Sequence, residues 1–211
     1  MVERDLNIIK DLIRFRCMSR DQILKLHFGG NKNKISNGNN VLKRLVDRNY
    51  ITVNKEYRPF IYFPNPPTIK IDSSKLLHFL EIVNLYISLR GVEELTNFVV
   101  EPKFKKGFVE PDFFCIFKKI PIFFEIQLSL YSRSAMENKL NSYKELYESD
   151  IIKNESWQQL NKIIYPPIVL ISHHRYDVSV TGLKVLQYQS IQQFIDHVNK
   201  KSITKNKSVI V

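Results

Sequence analysis

Two carboxylates stand in apolar surroundings in the stretch VEPDFFCIFKKIPIFFEIQLS, Val109 to Ser129. Asp112 falls near the start of one strand-like run and Glu125 in the middle of the next. A carboxylate in an apolar strand is expensive unless something pairs with it. A two-residue turn at Lys119 and Ile120 would set residue 118 against 121 and 112 against 127. Opposed residues share a face, and so do residues two apart. That register places Asp112, Glu125 and Gln127 on one face, within reach of one small ion, and a one-residue change in the turn breaks it. Mg²⁺ takes hard oxygen ligands, usually one or two carboxylates, with water and phosphate oxygens completing the shell. Held so, it polarises a phosphodiester and acidifies a bound water. Downstream, Lys139 and Tyr143 stand i and i+4 on one helix face. Plainer readings compete. Asp112 could only turn the chain after Pro111, Glu125 could sit near a strand end paired with a lysine, and Lys139 and Tyr143 could only line a helix surface.

The elements that must position these residues follow from periodicity. SSKLLHFLEIVNLYISLRG predicts a helix over about 74–90, with Leu76, Leu80, Val83 and Ile87 on one face and Gly91 as its stop. NFVVEPKF, PDFFCIF and PIFFEIQL read as strands. A helix at about 134–148 follows, with Ser134 and Glu137 at capping-box spacing. PIVLIS gives a strand at 167–172, GLKVLQY one more, and a final helix covers about 190–199. The basic tail 201–211 is expected to be loosely ordered. His173 and His174 are read as the end of a strand, since adjacent strand residues face opposite ways. Cys115, Phe123, Phe124, Trp157 and Tyr165 are read as core.

Upstream, three helical runs precede two short β-rich runs. Leu6, Ile9, Leu12 and Ile13 give a helix over about 4–16. Ser19 can cap the short helix RDQILKLHF. GGNKNKISNGNN reads as a polar turn, VLKRLVDRNYI as a third helix, and YITVNKEYRPFIYF as two runs around a charged turn. FPNPPTIKIDSS is an extended, Pro-rich linker.

Charge separates the halves. The 211 residues carry a net +11 at a sequence pI near 9.6. Residues 1–70 hold 14 Lys+Arg against 6 Asp+Glu, a net +8 that implies a polyanionic partner. No apolar run approaches a membrane span, and the charged start MVERDLNIIKDL is no secretory signal. Two cysteines, Cys17 and Cys115, form no zinc pattern. A cytoplasmic setting is expected.

The order helix, helix, turn, helix, hairpin resembles a winged helix-turn-helix across about 4–64. The resemblance implies that VLKRLVDRNYI is a recognition helix. Asn37, Asn39, Asn40, Lys43 and Arg44 would then face double-stranded DNA, with Lys55 and Arg58 at the wing tip touching phosphate. A solvated surface and a protein-binding winged helix remain the alternatives.

The later order, αβββαβ with a mixed sheet, resembles the PD-(D/E)XK nuclease core. Pro111-Asp112 stands for its first element and Glu125-Ile126-Gln127 for its second. Gln127 occupies the place where that family usually has a catalytic lysine. The resemblance implies Asp112 and Glu125 as metal ligands, with the Ile126 carbonyl and sometimes an acid from the first helix, here Glu81. It also implies Mg²⁺ or Mn²⁺ as cofactor. Lys139, in a K-x-x-x-Y pair similar to the Q-x-x-x-Y pattern of some members, is the candidate for the missing positive charge.

The two modules together resemble the replication-relaxation family of plasmids, conjugative elements and phages. The expected α+β chain has a winged helix at 1–64, a linker at 65–73, a nuclease-like domain at 74–200 and the tail. The expected function is a DNA-binding protein of a mobile element that acts in replication or relaxation and either nicks or grips its DNA. Other replication or transfer proteins and a second copy of the chain are the expected partners. The alternatives are a transcriptional regulator with an inactive, dimerising nuclease-like domain, and a restriction-type endonuclease.

Overall fold

The computed structural model describes residues 1–30, 32–159, 161–179 and 182–207, with side chains to Lys200. The described residues form a mixed α+β chain of six α-helices, a three-stranded antiparallel sheet and a five-stranded mixed sheet. They divide into two compact units, Met1–Ile87 and Ser88 onward. No helix among them is long and apolar enough to cross a membrane.

In the first unit, α1 (Glu3–Phe15) buries Ile8, Leu12 and Phe15 at helical spacing. Then come β1 (Met18–Ser19) and α2 (Arg20–His27). Ser19 caps α2 as expected, and Gln22 completes a capping box by accepting from the Ser19 N–H at 2.9 Å. The third helix, α3 (Lys34–Asp47), starts earlier than the sequence suggests. Most of the stretch read as a turn is helical. Gly38 explains why. It is buried where α3 crosses α2, and a Cβ there would lie 2.0 Å from Leu24 Cδ2. The glycine therefore marks a close helix approach, not a turn. β2 (Ile51–Asn54) and β3 (Ile61–Pro64) complete a sheet of order β1-β3-β2.

The Pro-rich stretch does not separate the units. Asn54 Nδ2 donates to the Ile71 carbonyl at 2.8 Å, and Asn65 Nδ2 to the Asn49 carbonyl at 2.8 Å. Helix α4 (Leu76–Arg90) is fastened to the same unit. Gln22 Nε2 donates to the Leu80 carbonyl at 2.8 Å and to Asn84 Oδ1 at 2.7 Å, and the Phe15 and Tyr86 rings lie 5.1 Å apart. The division at Ile87/Ser88 falls within α4 and not at the expected 65–73, and Gln22 and Phe15 hold the part of α4 before it in the first unit.

The second unit holds β4 (Thr96–Val100), β5 (Phe113–Phe117), β6 (Ile120–Gln127), α5 (Arg133–Glu148), β7 (Ile168–Ser172), β8 (Val185–Tyr188) and α6 (Ile191–Lys207). Strands β4 to β8 lie side by side in chain order. The first three are antiparallel, and β6, β7 and β8 are mutually parallel. Phe113 and Phe124 stack at 4.5 Å, and Phe114, Phe123, Tyr143, Leu146 and Ile168 pack together in the core. Cys115 is buried there, and desolvation pushes its thiol up to about 12. Trp157 leans on Phe114 at 5.1 Å, whereas Tyr165 remains 41% exposed. The cap of α5 is Ser132, not Ser134, and Glu137 pairs with Arg133 at 2.7 Å. Helix α6 continues through the first part of the expected tail to Lys207; residues 208–211 lie outside the described residues.

Gly38→Ala should destabilise the protein by about 1 kcal/mol. Overpacking costs ~1–3 kcal/mol, against a gain of ~1 kcal/mol in helix propensity. In a Leu24→Ala background the same change should become neutral or stabilising, as denaturant melts would show.

Candidate functional site

Strands β5 and β6 form a hairpin through Lys118 and Lys119, both at positive φ (49° and 63°). The register pairs Phe117 with Ile120 and Phe113 with Phe124. Continued by one residue, it sets Asp112 opposite Glu125 rather than Gln127. The pairing is thus two residues from the expected one. Because the side-chain period of a strand is two, the shift leaves both acids on one face.

Glu125 is 2% exposed on β6. Tyr143 Oη donates to its Oε1 at 2.6 Å, and Lys139 Nζ lies 2.5 Å from its Oε2, without hydrogen-bond alignment. Both partners come from α5, one turn apart, so the i and i+4 spacing aims two donors at one carboxyl group. Asp112 Oδ2 accepts from the Ile126 N–H at 2.5 Å. Its carboxylate also acts on Glu125, Lys139 and Tyr143 through space.

Burial, reinforced by Asp112, raises the Glu125 carboxyl to about 8, although Lys139 and Tyr143 pull it back. Desolvation works against the Lys139 ammonium, but Glu125 and Asp112 outweigh it and its pKa rises. Tyr143 is pushed well above the ordinary phenol range by burial and then by Glu125. The ammonium rests on one carboxyl oxygen and the phenol donates to the other, so the two α5 donors oppose the cost of burying the Glu125 charge.

The structure thus brings Asp112, Glu125 and Lys139 together and adds Tyr143, which the K-x-x-x-Y spacing had marked. Gln127 is buried on the same face of β6, but its amide is spent locally, donating to the Ser129 carbonyl at 2.8 Å. Glu81 belongs to the first unit, where it is exposed and accepts from Asn84 Nδ2 at 3.1 Å. The Ile126 N–H is taken up by Asp112. No group of three or more His, Cys, Asp or Glu side chains converges among the described residues. His173 and His174 follow the end of β7, as expected.

In the first unit, Asn37, Asn39, Asn40 and Lys43 are exposed on α3. By helical spacing Asn39, Asn40 and Lys43 share a face, with Asp47 at its C-terminal end. Arg44 is turned to another task. Its Nη2 lies 2.5 Å from Oδ2 of Asp5, a carboxylate only 3% exposed on α1. Lys55 and Arg58 are exposed between β2 and β3, and the Arg58 guanidinium stacks over Phe60 at 4.4 Å.

No protein-family model matches the chain, and no curated protein matches it significantly.

The raised Glu125 carboxyl fixes the sign of a pH dependence. The folded state holds a proton that the unfolded chain releases above its ordinary carboxylate pKa. The associated stability is therefore complete below about 4.5 and is lost as pH rises through about 8. The Tm of the metal-free protein should fall across this window by about 3 °C or more beyond the change in Glu125→Gln. Parallel pH–Tm profiles of the two would check this.

Proposed function

We propose that this chain is a DNA-binding protein of a mobile genetic element, acting in replication or relaxation of its DNA. Its first unit is read as a winged helix that grips double-stranded DNA through α3 and the β2–β3 turn. Its second unit is read as a PD-(D/E)XK-like module that nicks the DNA nearby. The observation that carries this reading is the meeting of Lys139 with Glu125, opposite Asp112. A lysine supplied from α5 takes the place left by Gln127. The mobile-element setting rests on the order of the modules alone, and the net +8 of residues 1–70 supports the polyanionic partner.

The donor set fits Mg²⁺ or Mn²⁺. Glu125 Oε2, met in this structure by the Lys139 ammonium at 2.5 Å, and the carboxylate of Asp112 are the hard oxygens that would hold the ion. Such an ion, when bound, would polarise the scissile phosphodiester and acidify an attacking water. The protein's own residues do the rest. Tyr143 fixes the orientation of Glu125, Asp112 is held by the Ile126 N–H, and the Lys139 ammonium offsets charge that develops on the phosphoryl oxygens. An inactive, regulator-type module is the second reading. It is favoured by Gln127, whose neutral amide is already committed to Ser129.

Arg44 is a poor probe of DNA binding because its removal exposes the Asp5 pairing, so Lys43 is the cleaner test. Supercoiled DNA carrying the element's origin, incubated with Mn²⁺, should be nicked by the parent. Lys139→Ala should lower the rate at least about 100-fold, the scale of removing one preorganised charge-stabilising donor. Lys43→Ala should instead weaken duplex binding and reduce the salt slope by about one. Absence of Mn²⁺-dependent nicking in the parent would favour the regulator, and linear product the restriction-type enzyme.

A further inference from the structure

The second unit carries a cleft that the Asp112–Glu125 site does not use. It measures about 640 Å³ and lies at the carboxyl ends of β7 and β8. Ligand crevices of α/β sheets form outside this end of parallel strands. The chain leaving β7 lines one side with His173, His174 and Arg175, and Gln193 and His197 of α6 line another. No Asp or Glu is among the described residues that line it. Such a wall offers many N–H donors and one fixed positive charge, the chemistry of a phosphate site.

Tyr176 connects this cleft to the candidate site. Its backbone N–H donates to Gln187 Oε1 in the cleft at 3.0 Å, while its hydroxyl accepts from the Tyr131 N–H at 3.1 Å. The Tyr131 ring in turn faces the Lys139 ammonium at 6.0 Å. Tyr176 and Tyr131 thus link the wall of the cleft to the Glu125–Lys139 pair by direct contacts.

We propose that the cleft binds a backbone phosphate of the nucleic-acid strand flanking the phosphodiester held at Asp112 and Glu125. Arg175 is the principal contact, and His173, His174 and His197 supply further donors. Arg175 presents two N–H groups in a planar fork that matches phosphate oxygens. The substrate class rests on the nuclease reading; the phosphate chemistry of the cleft does not.

The test uses the full chain with a short labelled oligothymidylate, thymidine monophosphate as control, and nicking assays on the same preparations. Side-chain resonances of His173, His174 and His197 should shift with the oligonucleotide at concentrations where the monophosphate leaves them unmoved. Arg175→Ala should weaken oligonucleotide binding about tenfold at low salt and reduce the salt slope by about 0.7, the single-strand value for one phosphate. Lys119→Ala, at the remote hairpin turn, should change it less than twofold. Arg175 is exposed, so the variant should melt like the parent. Unmoved histidines, or equal shifts with the monophosphate, would overturn the proposal. A parent that nicks while Arg175→Ala leaves affinity and KM unchanged would sink the cleft and spare the nuclease reading. Shifted histidines and Arg175-dependent binding in a parent that never nicks would do the reverse.

Discussion

One buried acid organises the second unit. Glu125 sits in a strand whose neighbours are phenylalanine and isoleucine, and nothing in that strand can answer its charge. The answer comes from α5, which must lie across the sheet so that Lys139 and Tyr143 both reach the carboxyl group. Removing either partner leaves a buried polar group exposed to its full desolvation cost. Met136 and Leu140 pack on Leu170 of β7 along the same helix, so polar and apolar contacts fix one placement. A purely apolar seam would tolerate a small rotation of α5; a seam with a buried acid in it does not.

The first unit repeats the device with opposite geometry. Asp5 is buried on α1, and Arg44 reaches it from α3. This pairing shows why charge counts alone misassign contacts. A cation on a helix read as DNA-facing is occupied by its own protein, while Lys43 beside it is free of any such carboxylate partner among the described ion pairs.

Legibility from sequence followed the range of the interactions. The amphipathic α1 and the long apolar α4 were readable to within a residue or two. Strands β5, β6 and β7 were readable to similar accuracy, because β-branched and aromatic runs bounded by turn residues have few alternatives, whereas β4 stops at Val100, β8 starts only at Val185, and the two-residue β1 has no pattern of its own. The hairpin register was misjudged by two residues because Lys118 and Lys119 carry no turn signature; its face parity survived because the period is two. The start of α3 was missed because Gly38 has two meanings, turn or close packing, and only the neighbouring Leu24 decides between them. The unit boundary was missed because Gln22 binds Leu80 and Asn84, contacts across nearly sixty residues or more that no local pattern announces. At the site, the i and i+4 spacing of Lys139 and Tyr143 and the place of Lys139 beside the acids were legible, but the joint hold of both side chains on the Glu125 carboxyl group was not.

The lysine turn has a kinetic consequence. Left-handed backbone at two consecutive non-glycine residues disfavours early closure of the β5–β6 hairpin, which lacks the Asn-Gly type of nucleus. Its pairing must be enforced from outside, by the aromatic layer and by β7, which joins β6 from more than forty residues downstream. Contacts of such sequence separation form late, after their loop entropy has been met. Asp112 and Glu125 lie on that hairpin, so the two carboxylates face one another only once the rest of the unit has condensed around them. A partly folded chain that lacks β7 and α5 therefore has neither the register that opposes the two acids nor the donors that meet Glu125.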